Sequence, residues 1–152
     1  MPVPVEQTEP IKVANLSPML LAKIRLMISD ERSEIEKQGD EYTSEYVQIF
    51  HSGSEKPVIG LEFSRTGDEN RGTDPYFKLT VHNGTTGENV VYLEKTKTLA
   101  DSTHLYDLFL LMKREYDRRD RERKEQKTKE SKQKMMNAQV AAEKYLDSLL
   151  SR

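Results

Sequence analysis

Residues 117–134, DRRDRERKEQKTKESKQK, contain no aliphatic or aromatic side chain and no Pro or Gly. A segment like this cannot lie inside a core. Its Arg, Lys, Glu and Gln favour helix, and a helix polar all round stands in solvent, bridges two bodies or lies on a charged surface. Asp117–Arg121, Asp120–Lys124 and Glu122–Gln126 sit at helical spacing, each pair contributing a few tenths of a kcal/mol. Residues 113–134 hold eleven Lys and Arg against six Asp and Glu, a net of +5.

Both flanks are apolar. Before the polar run, Leu105, Leu108, Phe109, Met112 and Tyr116 fall on one helical face, with Ser102 or Thr103 available as a cap. Leu110 and Leu111 widen that stripe, which predicts burial on two sides. After it, Met135, Ala138, Ala142, Tyr145 and Leu149 step by three and four, a coiled-coil-like seam joined by Leu146 and Leu150. Two heptads do not hold themselves together alone. The segment is therefore expected to pack back on the body, pair with a copy or dock on another protein.

The rest of the chain reads as a small α+β body. Residues 1–15 carry Pro2, Pro4 and Pro10 and are expected to be a flexible, mobile or extended lead-in. Ser17-Pro18 is a cap followed by proline at the first helical position. Leu20, Leu21, Ile24, Met27, Ile28 and Ile35 then predict one helix ended by Gly39. Four strands follow, near 45–51, 58–65, 76–82 and 89–96, with Phe77, Leu79 and Val81 inward, and Val91 and Leu93 alternating in the last. Short connections favour an antiparallel meander. The expected organisation is a lead-in (1–15), an α+β domain (16–116) with an N-terminal helix, a four-stranded antiparallel meander and the start of a long C-terminal helix, then a net basic helical arm (117–134) and an amphipathic terminal helix (135–152).

Charge is unevenly placed. The net is −2 overall, so +5 on residues 113–134 and 0 on 135–152 leave −7 on residues 1–112. An acidic body carries a basic arm. There is no cysteine, hence no disulfide framework and no thiolate metal site, which fits a reducing compartment. MPVPVEQTEP lacks the basic and apolar regions of a secretory signal, and no apolar run is long enough to span a bilayer. An intracellular location, cytoplasmic, nuclear or in a nucleoid, and no membrane partner are expected.

Two surfaces carry the functional expectations. In the simplest register Tyr46, Phe50, Tyr76, Lys78, His82 and Tyr92 point away from the core, and aromatic side chains on a sheet can stack bases. Packing against another element explains the same residues. Arg118, Arg119, Arg121, Arg123 and Lys124 could follow a phosphate backbone; interleaved acids fit a solvated spacer helix equally.

The loop Gly67–Pro75 resembles a calcium loop only superficially. Gly72 stands where a ligand is needed, Thr73 replaces the turn glycine and Leu79 the closing glutamate. His51, His82 and His104 lack zinc-site spacing. No motif orders a nucleophile with a base, so no catalytic residue, metal, cofactor or small-molecule substrate is expected. The leading expectation is a non-catalytic adaptor or subunit of a larger complex, which could include a nucleoprotein. It would bind protein or itself through 135–150, with nucleic acid a candidate partner for 113–134. A single-stranded nucleic-acid or RNA-binding module is the alternative, and an enzyme with a site assembled by folding is the third.

Overall fold

In a computed structural model of the chain, residues 9–40, 42–66, 74–96 and 105–152 are described. Ser17 caps α1 (Pro18–Ser29), its Oγ accepting from the backbone N–H of Met19 and Leu20 at 3.2 and 3.4 Å. The helix stops ten residues before the expected end at Gly39. Asp30 ends it: its carboxylate accepts from the N–H and guanidinium of Arg32, which holds the carboxyl down at about 2. Ser33 closes the corner by donating Oγ–H to the carbonyls of Met27 and Asp30. The chain then reverses into a strand.

That strand, β2 (Ser33–Gly39), was not among the four expected. Ile35 is buried by strand alternation with Ser33, not as the last residue of a helix face. Gly39 has φ 91° and sits at a hairpin, where a Cβ would collide with the Ser44 carbonyl. Asp40 builds the turn by accepting from the N–H of Tyr42 and Thr43 at 2.7 and 2.8 Å. The four expected strands follow as β3 (Ser44–His51), β4 (Ile59–Ser64), β5 (Tyr76–His82) and β6 (Asn89–Lys95).

These five strands form an antiparallel meander. A sixth, β1 (Ile11–Lys12), lies within the expected lead-in and pairs with β6 in parallel. The sheet is thus six-stranded and mixed, in the order β1-β6-β5-β4-β3-β2, where four antiparallel strands were expected. α2 runs as one helix from Tyr106 to Leu150.

By contact density the chain divides into Met1–Tyr116 and Asp117–Arg152. In the first unit one sheet face is apolar and buried: Val47 and Ile49, Ile59, Leu61 and Phe63, and Phe77 and Leu79 line up across β3, β4 and β5. Ile24 and Ile28 of α1 and Leu105, Leu108, Phe109 and Met112 at the start of α2 complete this core. Phe77 stacks obliquely on Phe63 at 4.7 Å and meets Phe109 edge-on at 5.7 Å. Leu110 is half-buried and Leu111 exposed, so this turn is buried on one side and not on two.

Candidate interaction surfaces

Both helices that pack on the sheet cover the same face, so the register defines what lies on the other. Rows across the strands are Gln38–Tyr46–Glu62–Lys78–Leu93 and Glu36–Gln48–Gly60–Thr80–Val91–Lys12. Glu34 and Phe50 form a third pair, His82 and Asn89 a fourth, and Ser64, Tyr76 and Lys95 close the far end. Tyr46, Phe50, Tyr76, Lys78 and His82 do share the open face, and all are half-buried. Tyr46 lies across Gly60: a Cβ there would come within 2.6 Å of the Tyr46 hydroxyl. Tyr76 leans on Glu62 at 3.4 Å, and the His82 ring meets the Asn89 side-chain oxygen at 2.6 Å.

Tyr92 corrects the simplest register. It pairs with Leu79 and packs against the core beneath the helices, while Val91 and Leu93 take the open face. Burial, then neighbouring Glu94, pushes its phenol up. Strand alternation makes a one-residue error move every side chain to the opposite face. Tyr92 therefore cannot join Tyr46, Tyr76 and Lys78 in one stacking platform.

The covered face holds an ion cluster that sequence reasoning missed. The Glu45 side chain is 7% exposed and meets Arg65 Nη2 and Lys113 Nζ, each at 2.6 Å. Burial works to raise its pKa, but the bonds from Lys113 and Arg65 outweigh it and hold the carboxyl below the usual range. Lys113 and Arg65 also lie over the Phe109 and Phe63 rings. The cluster joins β3, the end of β4 and α2. The available signal was an acid at an inward strand position, two residues before Val47.

In the second unit α2 carries two segments in turn. Arg118 pairs with Glu122 at 2.7 Å, and Lys124 and Arg123 with Asp120 at 3.0 and 3.8 Å. At about 100° per residue Arg118 and Arg121 fall on one side of the helix, and Arg119 and Arg123 on another. The five predicted phosphate-binding residues do not form one basic face. A trough lined by Asp117, Asp120, Arg121, Lys124, Thr128 and Lys132 runs along this stretch, bounded by a single helix and so without a second wall to enclose a substrate.

The last turns present Met135, Ala138, Ala142, Tyr145, Leu146, Leu149 and Leu150 to solvent, with Met135 60%, Leu146 55% and Leu149 44% exposed. From Ala141 to Leu150 these residues subtend about 180°, wider than the narrow a/d seam of a two-stranded coil.

Residues 67–73, including Asp68, Asn70 and Gly72 of the calcium-like loop, lie outside the described residues, as do His104 and the expected cap at Ser102 or Thr103. Among the described residues no group of three His, Cys, Asp or Glu could hold a metal ion. In the same residues no helix is long and apolar enough to cross a membrane. Compared with protein-family models, curated proteins and solved structures, the chain matches none.

Proposed function

We propose that this chain is a non-catalytic adaptor: its α+β body is a folded platform, and the last turns of α2 dock into an apolar groove on a different protein. The observation that supports this reading is the broad exposed apolar arc at 135–150 following a stretch with no apolar residue at all. Exposed apolar surface of this kind is costly in water unless a partner covers it, and an amphipathic helix laid in a groove is a recurrent solution. Width selects the groove. A two-stranded coil covers only one narrow seam, whereas groove walls contact both flanks of the arc. Ala138, Ala141 and Ala142 let the partner backbone approach closely.

The test is affinity capture with the full chain, nuclease-treated, comparing the wild type with Leu146→Asp/Leu149→Asp. A stoichiometric protein partner retained by the wild type and lost by the variant is expected, with binding then measured between the two purified proteins. Equal capture by both chains contradicts the reading.

A second reading is supported by the net +5 of residues 113–134: α2 contacts a nucleic-acid backbone through charge, without sequence preference. Binding of a single-stranded oligonucleotide should then weaken steeply with salt. Arg118→Ala/Arg119→Ala/Arg121→Ala/Arg123→Ala should lower both affinity and salt slope. No binding at low salt removes this reading. The open sheet face adds little to it, because Glu34, Glu36 and Glu62 stand there among the aromatics.

A further inference from the structure

At one edge of the sheet β1 covers only the first half of β6. The Thr96 N–H bonds to the Pro75 carbonyl and the Asn83 N–H to that of Glu88. With the register of β5 and β6, this turns the even-numbered residues of β6 toward β5 and the backbone N–H and C=O of the odd-numbered ones outward. Val91 is met there by β1, its carbonyl accepting from the Val13 N–H. The chain then bends away at Ala14 and Asn15 toward α1. Among the described residues nothing bonds the outward N–H and C=O of Leu93 and Lys95, and a slot one strand wide is left beside them.

The side chains around this slot are of one charge. Leu93 is 48% exposed on the open face. Lys78 stands across from it on β5, Lys95 two residues further along β6, and Lys12 diagonally on β1. Strand geometry sets their Cα atoms about 5, 7 and 8 Å from that of Leu93. Among the described residues none of the three lysines is in an ion pair. Glu62, the acid across from Lys78, accepts from the Tyr76 hydroxyl at 3.4 Å.

We propose that this slot takes an extended acidic segment of another protein, added to β6 in line with β1. Its main chain bonds the N–H and C=O of Leu93 and Lys95, and every second side chain falls on the open face. The register fixes two such positions. One lies beside Leu93, within side-chain reach of Lys12 and Lys78; the next lies beside Lys95. Carboxylates at both meet all three lysines, whereas basic side chains there would face like charge. The residue between them turns to the covered face beside Glu94, which disfavours a third acid. Lysines on an edge repel a second edge of the same kind, so β6 is closed to β6 of a second copy and open to a chain of opposite charge. The slot lies wholly within the body, so it stands independently of what covers the end of α2.

The experiment is a fluorescence-anisotropy titration of the full chain at low salt with a labelled, capped peptide alternating glutamate and valine. The same peptide with lysine for glutamate is the control. The acidic peptide should bind, the basic one should not, and added salt should weaken the complex. Lys12→Glu/Lys78→Glu/Lys95→Glu should weaken it roughly tenfold or more, because three favourable pairs become like-charge ones.

Leu93→Pro tests the main chain separately. It removes an N–H that bonds nothing within the sheet, so the fold should persist by circular dichroism while peptide affinity falls roughly tenfold. Leu93→Val keeps that N–H and should bind as the wild type does. Amide exchange needs no substitution: protection at Leu93 and Lys95 should rise when the peptide is added. Absence of acidic-peptide binding at low salt overturns the proposal. So does binding indifferent to Leu93→Pro with no protection gained at Leu93 and Lys95, because the lysines alone then hold the peptide. A single-stranded oligonucleotide bound more tightly and lost with the same three lysines would assign the patch to phosphate. A concentration-dependent dimer lost with Leu93→Pro would assign the slot to a second copy. Either result also overturns the proposal.

Discussion

Glu45 shows how one side chain ties three elements together. Its carboxylate is buried, so desolvation opposes ionisation, yet Lys113 and Arg65 approach both oxygens and more than offset that cost. Glu45→Gln leaves two cations facing an uncharged amide. Breaking a buried pair costs about 3–5 kcal/mol; with Arg65 and Lys113 about a quarter exposed, the low end, about 3 kcal/mol, is expected by urea unfolding at pH 7. The sign with pH follows from the lowered native pKa. The contribution of Glu45 is fully present above the carboxyl range of the unfolded chain and is lost as pH falls through the native value. The stability gap between wild type and Glu45→Gln should therefore close on acidification from pH 7. A gap unchanged down to pH 3 would mean the ion cluster is not its source.

At the scale of elements, α2 is expected to behave as two helices. Leu105, Leu108, Phe109 and Met112 are locked in the core, whereas residues 117–150 rest on local pairs worth tenths of a kcal/mol each. Hydrogen exchange on the chain alone should protect the backbone of β3, β4 and β5 most and residues 117–150 least, by several orders of magnitude. Uniform protection through Leu150 would contradict this.

The same contrast explains what sequence made legible. The long helix, the four central strands and the inward row Phe77, Leu79 and Val81 follow from periodicity, which local sequence carries. β2 does not: Ile28 and Ile35 are seven apart, a helical spacing, and only the Asp30–Arg32–Ser33 corner turns Ile35 into a strand residue. β1 is two residues long and exists through its distant partner β6. Tyr92 was misplaced because Val91 and Leu93, and Val90 and Tyr92, alternate equally well. The choice between them is made by the core under α1 and α2, which no local pattern contains.

For the whole molecule, the uneven charge seen along the chain is repeated across the sheet. The body is acidic in total, and its open face carries both acids, Glu34, Glu36 and Glu62, and bases, Lys78 and Lys95. The exposed apolar arc of α2 is a separate surface, the one proposed to dock on a different protein. Hydrogen exchange on the full chain, alone and in the purified complex with its captured partner, decides whether the last turns of α2 are the docking element. New protection is expected at residues 135–150, centred on Ala142, Leu146 and Leu149, with 117–134 little changed. Protection gained elsewhere while 135–150 continue to exchange freely would contradict it.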